Sequence, residues 1–324
     1  MKRIPSIIFL LSFLFLGCKN STSDKTEQKS GVAKKEVITK PMVSFTFDDG
    51  STSNIGDFEF EEWNNMMLSH LENENLKAIF FVTGKNKRDE KGQFLLKTWN
   101  DAGHKIANHS FSHPNFNSEK NTALIFENEL KQTDSIISSL SNSVKLFRFP
   151  YLKEGQHQLK VDSIRSILAE NKYLNGYVTI DASDWYVNQR LIQRIKEVGF
   201  EKTEIERYKD FYISHIIERA NYYEKLSFEM NGRHIKHTLL LHHNLTSALF
   251  LGELMETFKE KGWVITDADK AYKDPIFNKI PNPNFAGESL IYAMAKESGK
   301  YEKSLRYPAE DSRYEKDKMN KIGL

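Results

Sequence analysis

The chain has 324 residues, which is enough for one large domain or two small ones. Hydrophobic residues make up 39% of it and charged residues 28%, which is ordinary for a globular protein. The formal net charge of +2, without a long basic block, gives no reason to expect a nucleic-acid partner. Cys18 is the only cysteine, so a disulfide within the chain is excluded.

The N-terminus has the pattern of a secretory signal. Lys2 and Arg3 precede an apolar run, Ile7–Leu16, that is too short to span a bilayer. A lone cysteine, Cys18, ends this segment and resembles a bacterial lipoprotein processing site. We therefore expect a signal peptide over 1–18 and a membrane anchor through lipid on Cys18. The protein would act in the cell envelope, periplasmic or outer-membrane associated, or as a secreted protein if the cysteine is incidental. The polar stretch 19–40 predicts a flexible tether.

Seven short apolar runs alternate with amphipathic stretches beyond the tether. The runs are Val43–Phe47, Ala78–Val82, Lys105–Ala107, Leu146–Phe149, Tyr177–Ile180, Thr238–Leu241 and Trp263–Thr266. The amphipathic stretches are Glu59–Asn75, Glu90–Ala102, Glu119–Leu140, Leu159–Asn171 and Ser247–Lys261. Strands that alternate with helices predict parallel strands joined by crossovers. The fold class expected is α/β, a distorted (β/α)7 barrel spanning 41–274.

Polar side chains follow the predicted strands at the points where the strands end. They are Asp48 and Asp49, His109 and His113, Arg148, Asp181 and Asp184 with Trp185, and His242. Because the carboxyl ends of barrel strands converge on one face, we expect these residues to meet in one site.

The histidine pair indicates a metal site. His109 and His113 are four residues apart, so on a helical turn they would share a face. With one carboxylate they form a set of two His and one Asp, which leaves positions open and is typical of a catalytic metal. One divalent ion is expected; zinc suits this set, and cobalt, nickel and iron accept the same ligand types.

Five ordered motifs are similar to those of one enzyme family. They are Thr46–Gly50, His109–His113, Arg148–Tyr151, Asp181–Trp185 and Leu240–His242. Over roughly residues 41–270 the chain resembles the polysaccharide deacetylase family, which is the NodB homology domain or carbohydrate esterase family 4. The barrel expected from the strand pattern is also the fold that this resemblance implies.

The resemblance implies a metal and a general base. Asp49, His109 and His113 would bind the metal. Asp48 would remove a proton from the attacking water. Arg148 would hold Asp48 through a charge-assisted hydrogen bond.

The resemblance also implies a proton donor and a substrate pocket. His242 would protonate the leaving group, and Asp184 would orient His242. The backbone N–H of Tyr151 would contribute to the oxyanion hole. Trp185 and Leu240 would form the wall against the acetyl methyl group.

The activity implied is removal of acetyl groups from N-acetylated polysaccharides or oligosaccharides, such as chitooligosaccharide, peptidoglycan or an exopolysaccharide. Amide hydrolysis needs an activated water, a stabilised oxyanion and a proton for the leaving amine, and the expected residues supply each. Two alternatives stay open. One is an O-acetyl esterase acting on acetylxylan-type glycans, and the other is a lipoprotein that binds glycans without hydrolysing them.

Three further segments carry expectations of their own. Thr203–Met230 predicts an enlarged helical connection packed on the barrel, with the alternative that Tyr222 and Tyr223 offer their rings to sugars. The residues 275–324 predict a C-terminal extension packing on the barrel. His243 is expected to be an ordinary polar residue at a strand end, pointing away from the site or flanking the sugar.

Overall fold

The computed structural model describes residues 38–282, 288–307 and 311–324. The expected signal peptide, Cys18 and most of the tether lie outside these residues. Within them, a single compact unit runs from Ile38 to Leu324. No helix in the described ranges is both long enough and apolar enough to cross a bilayer.

Eight parallel strands form one curled sheet. They are β1 Met42–Asp49, β2 Ile79–Val82, β3 Lys105–Asn108, β4 Ser143–Phe147, β5 Leu174–Asn175, β6 Ile180–Asp181, β7 Lys236–His242 and β8 Val264–Ile265. The order across the sheet is β5-β4-β3-β2-β1-β7-β6, and β8 pairs with the first residues of β1. Among the described residues β5 and β6 are the two edges, so the sheet is an open half-barrel. The predicted α/β barrel of NodB type is confirmed.

Ten helices accompany the sheet in the described ranges. They are α1 Phe60–Asn73, α2 Glu90–Asp101, α3 Ala123–Ile137, α4 Gln158–Glu170, α5 Asp184–Val198, α6 Ile205–Asn231, α7 Leu245–Glu260, α8 Ala268–Ala271, α9 Leu290–Ser298 and α10 Arg313–Lys321. The apolar sides of α1, α6 and α7 pack with β1 and β7 in the largest hydrophobic cluster. The sequence pattern predicted the first four helices, α6 and α7 within a few residues.

The central strand β1 is buried along its length although it contains two hydroxyl residues. Ser44 Oγ donates to the His237 carbonyl at 2.9 Å, and Thr46 Oγ1 donates to the Leu239 carbonyl at 2.7 Å. Both hydroxyls therefore satisfy their donors on the neighbouring strand β7, which removes the cost of burying them. These bonds join β1 to a strand about 190 positions further along the chain.

Several elements differ from the sequence pattern. The two-residue strand β5 is too short to give a hydrophobic period, and its Leu174 is exposed. Tyr177–Ile180 was expected to be a strand, but the extended pairing begins only at Ile180. The helix α5 starts inside the motif that contains Asp184, where strand and helix signals overlap.

The long helix α6 and the C-terminal residues pack on each other. Tyr223 is fully buried and its hydroxyl donates to the Tyr307 carbonyl at 3.1 Å. The Tyr222 hydroxyl donates to the Ser304 carbonyl at 3.0 Å. Neither tyrosine lines the cavity at the strand ends. The alternative that these rings contact sugars is therefore wrong for the buried Tyr223, and it stays a prediction for the partly exposed Tyr222. The boundary between 274 and 275 also stays a prediction.

Candidate active site

A cavity of about 240 Å³ opens at the carboxyl ends of the central strands. It is lined by Asp48, Asp49, His109, His113, Phe149, Tyr151, Leu152, Trp185, Leu240 and His242. Arg148 and Asp184 lie directly behind the cavity and bond to two of its lining residues. The structure thus brings together the residues that the sequence pattern placed at strand ends, except Asp181, which is buried and does not line the cavity.

Three lining residues are arranged as metal ligands. Asp49 Oδ1 lies 3.8 Å from His109 Nε2 and 3.7 Å from His113 Nε2. One potential ligand atom from each residue lies within 4.8 Å of the others. Metal bonds of about 2.1 Å at tetrahedral angles would separate ligand atoms by roughly 3.4 Å, so this set fits a small divalent ion after slight closure.

The surroundings of His109 suit a neutral ligand. Its Nδ1 lies 2.8 Å from the Arg148 carbonyl, which makes Nδ1–H the donor and leaves the Nε2 lone pair facing Asp49. Burial lowers the pKa of His109 to about 3, with a further contribution from His113. The imidazole is therefore uncharged at neutral pH, as a metal ligand requires.

The loop that carries both histidines corrects the sequence-based picture. His109 and His113 do not share a helical turn; they lie on a loop in which Ser110 and His113 both have positive φ. Glu129 on α3 accepts hydrogen bonds from the backbone N–H groups of Phe111 and Ser112, at 2.8 and 2.6 Å. Glu129 therefore fixes the loop. The sequence offered no signal for it beyond a carboxylate on the inner side of a predicted helix.

The turn after β1 is held by a second buried charge. Asp49 has φ 75°, and the next residue is Gly50, where an added Cβ would come within 2.8 Å of the Trp99 ring. Lys87 is fully buried, and its ammonium donates to the Gly50 carbonyl at 2.5 Å and the Asp49 carbonyl at 3.3 Å. Sequence reasoning missed Lys87, because a lysine in the connection between a strand and a helix ordinarily faces water.

The second acid of the pair is buried beside a cation. Asp48 Oδ1 accepts a hydrogen bond from Arg148 Nη1 at 2.6 Å. The Arg148 guanidinium also donates to the Gly176 carbonyl and the Tyr272 hydroxyl, and it lies 3.9 Å from the centre of the Phe81 ring. Burial raises the pKa of Asp48, and Arg148 partly offsets this increase. The raised pKa makes this carboxylate more basic than a free one.

His242 faces the same cavity and is held from behind by Asp184. Its Nδ1 lies 2.7 Å from Asp184 Oδ1, and its backbone N–H donates to Asp184 Oδ2 at 2.9 Å. Asn244 caps α7 through its Oδ1 and donates from Nδ2 to the same carboxylate at 3.1 Å. Both carboxylate oxygens are therefore occupied, which fixes the orientation of the imidazole.

The remaining wall of the cavity is apolar. Leu240, Trp185 and Leu152 line it, and the role of Trp185 and Leu240 in holding an acetyl methyl group stays a prediction. Tyr151 lies at the rim, is 46% exposed and has φ 56°. Its ring packs against His113, with 4.6 Å between ring centres.

His243 points away from the cavity. It is buried against the Trp63 and Trp99 rings, and its Nε2 lies 3.1 Å from Asn64 Oδ1. Burial lowers its pKa well below the usual value. His243 is thus a packing residue beneath the site and does not flank a sugar.

Comparisons with known proteins match this arrangement. A family model described as polysaccharide deacetylase matches residues 35–167. A peptidoglycan-N-acetylglucosamine deacetylase from Bacillus cereus is 31% identical over 159 residues, covering 49% of this chain and 51% of the relative. Chitin deacetylase 1 from Cryptococcus neoformans is 26% identical over 166 residues, covering 47% and 31%. The chain thus spans about half the length of the first relative and less of the second.

The fold also matches solved structures. A family 4 carbohydrate esterase pseudoenzyme from Bacillus anthracis superposes with a TM-score of 0.51 at 18% identity, covering 72% of this chain and 66% of the other. A mutant described as having restored enzymatic activity gives the same TM-score. Sequence motifs, sheet topology and family match therefore agree, and the matched part of the chain, residues 35–167, belongs to the polysaccharide deacetylase family.

Proposed function

We propose that the protein hydrolyses acetamido groups of N-acetylglucosamine-containing glycans with the help of one divalent metal ion. The observation that carries this proposal is the placement of Asp48 and His242 on one cavity, together with the Asp49, His109 and His113 ligand set. Among these glycans we favour peptidoglycan as the substrate, because the matched Bacillus and Listeria relatives are named peptidoglycan-N-acetylglucosamine deacetylases.

Asp49, His109 and His113 would hold the metal, for which zinc suits the donors and cobalt, nickel or iron are the alternatives. When bound, a divalent ion lowers the pKa of a water molecule and polarises the substrate carbonyl. The backbone N–H of Tyr151 would donate to the carbonyl oxygen as negative charge develops on it.

Asp48 would act as the general base. Its Oδ1 is occupied by Arg148, so Oδ2 is the oxygen available to accept a proton from the attacking water. Oδ2 lies 3.6 Å from His109 Nε2, which places it beside the ligand set. Attack would give a tetrahedral intermediate whose methyl group rests against Trp185 and Leu240.

His242 would act as the general acid. Its Nδ1–H is directed to Asp184, and Nε2, on the other side of the ring, would carry the proton for the leaving amine. Transfer of that proton lets the C–N bond break, and acetate and the free amino sugar result. The negative charge of Asp184 favours the protonated imidazole that this step requires.

Acetate release tests the proposal directly. We expect purified protein to release acetate from N-acetylated peptidoglycan fragments and chitooligosaccharides. A chelator should stop the reaction, and added zinc should restore it. Absence of release from every acetylated glycan at full metal occupancy would instead favour the non-catalytic glycan-binding protein.

An O-acetyl esterase is the second candidate. A bifunctional xylanase/deacetylase from Pseudobutyrivibrio xylanivorans is 25% identical over 178 residues, covering 55% of this chain and 25% of the relative. Because an ester can occupy the same site, the two substrates must be compared directly. A higher kcat/KM on acetylxylan than on chitooligosaccharide would favour the esterase.

We also propose that the protein acts in the cell envelope, anchored by lipid on Cys18 or otherwise secreted. The charged and apolar pattern of residues 2–18 supports this proposal. Cys18→Ser should move the protein from the membrane fraction to the soluble fraction. An unchanged distribution would contradict anchoring through Cys18.

A further inference from the structure

The turn from β6 to α5 carries the carboxylate that orients His242. Ser183 immediately precedes Asp184, is fully buried and has φ 49° in the left-handed region. A serine in that conformation costs roughly 1 kcal/mol or more relative to ordinary backbone. Neighbouring groups must therefore hold the turn in place.

The C-terminal residues 311–324 supply two of these groups. The Asp311 N–H donates to Ser183 Oγ at 3.2 Å, and Ser183 Oγ donates to the Asp311 carbonyl at 3.3 Å. One residue earlier, the Ala182 carbonyl accepts a hydrogen bond from His215 Nε2 at 2.5 Å. Glu315 Oε1 lies 3.2 Å from the same His215 nitrogen.

Glu315 also forms a buried ion pair with Arg219. Both side chains are almost completely inaccessible, and the Arg219 guanidinium lies 3.4 Å from the centre of the Tyr307 ring. The helix that carries Glu315 is otherwise highly charged and largely exposed. A buried ion pair is costly to desolvate and is by itself weak evidence for stability. Stabilisation of the fold therefore does not explain why this pair lies behind the turn.

The strand end beside this pair carries a further carboxylate. Asp181 is fully buried, and neither of its oxygens has a hydrogen-bond partner among the described residues. Among the neighbouring charges, the positive charge of Arg219 does most to lower its pKa. Asp181, Arg219 and Glu315 thus form one buried charged group that links β6, α6 and α10.

We propose that residues 311–324 are a positioning element for the proton donor. The Glu315–Arg219 pair and the Asp311–Ser183 bonds hold the turn so that Asp184 keeps its 2.7 Å contact with His242 Nδ1. Glu315 and Ser183 are positioning residues, because they act on His242 only through the turn and Asp184. This inference rests on the proposed general-acid role of His242.

The first test is Glu315→Gln, which keeps the size of the side chain and removes its charge. We expect kcat to fall by about tenfold to a hundredfold, because small misplacements of a catalytic group have effects of this size. KM and the Kd of the metal should stay unchanged. The matched control is Glu218→Gln, which breaks an exposed pair with Lys318 between the same two helices and should leave kcat unchanged.

The second test avoids the loss of a buried charge. Ser183→Gly removes the hydroxyl but suits the left-handed backbone, so the fold is preserved. We expect a fall in kcat of about threefold to tenfold, since only the hydrogen bonds to Asp311 are lost. If Glu315→Gln does not fold, this variant decides the question.

A spectroscopic measurement separates positioning from general damage. In the ¹⁵N spectrum of the imidazoles, the Nδ1–H of His242 should shift in Glu315→Gln and Ser183→Gly but not in Glu218→Gln. Unchanged kcat and an unchanged His242 signal in Ser183→Gly would overturn the inference. If the wild-type protein releases no acetate from any glycan, the proposed function fails, while the His242 signal still decides whether the segment positions this residue.

Discussion

The two sides of the cavity are built in different ways. The side with the proposed metal ligands and base comes from β1, β3 and β4 within residues 42–148, inside the range that the family model matches. The side with the proposed proton donor comes from β6, β7 and the start of α5, beyond that range, and the C-terminal residues contact it. The buried charges that fix the first side, Lys87, Glu129 and Arg148, all lie in the same range. The second side also depends on contacts with residues 311–324, so we expect substitutions in that distant segment to affect it.

The largest effect is expected from the base. Asp48→Asn keeps the hydrogen bond from Arg148 but cannot accept a proton, so kcat should fall by about 10²- to 10⁴-fold. Metal content should stay near wild type, because Asp48 is outside the proposed ligand set. Metal analysis and acetate release on the same sample check this. Loss of metal would mean that the roles of Asp48 and Asp49 are exchanged.

A smaller loss is expected on the proton-donor side. Asp184→Asn removes the negative charge that favours protonated His242, so kcat should fall by roughly 10²-fold while the Kd of the metal is unchanged. Steady-state kinetics on a chitooligosaccharide and metal competition with a chelator measure the two quantities. An equal loss of metal affinity would contradict the separation of the two sides.

A substitution that loosens the loop with His109 and His113 tests the side with the proposed metal ligands. Glu129→Gln weakens the acceptor that holds the N–H groups of Phe111 and Ser112, so metal affinity should fall by about 10- to 100-fold. Competition with a chelator measures this fall. Glu127→Gln, on the same helix and paired only with Lys131 at the surface, is the control and should bind metal like the wild type.

The smallest effect concerns stability and pH. Burial raises the pKa of Asp181 to about 6, above its value in the unfolded chain. At pH values between the unfolded and the native pKa of Asp181, the native state binds more protons than the unfolded state. The stabilisation that protonated Asp181 provides is therefore present at low pH and is lost as pH rises through about 6. The free energy of unfolding of the wild type, relative to Asp181→Asn, should fall by roughly 1–3 kcal/mol between pH 4 and 7. Denaturant unfolding of both proteins at saturating metal measures the difference, and a flat curve would contradict it.

The sequence predicted the site better than the details that support it. Asp48, His109 and His242 were placed on one face because residues at the ends of parallel strands must converge. The helical turn proposed for His109–His113 was wrong, because Ser110 and His113 take left-handed conformations that spacing alone does not reveal.

The supporting side chains were missed for a common reason. Lys87, Glu129 and Glu315 are ionisable residues that a sequence pattern assigns to the surface. Each is buried because backbone groups or an ion pair satisfy it, and those partners are defined only once the chain has folded. The short strand β5 was missed because two residues carry no period.

The hydroxyl contacts between β1 and β7 bear on biosynthesis. A nascent chain that ends before Lys236 lacks the carbonyls that receive the Ser44 and Thr46 protons. Asp48 and Asp49, at the end of β1, then lack the neighbouring strand β7 that completes the centre of the sheet. Competence for the proposed hydrolysis should therefore emerge only after β7 has been made, and translation products that end before Lys236 should be inert toward glycans.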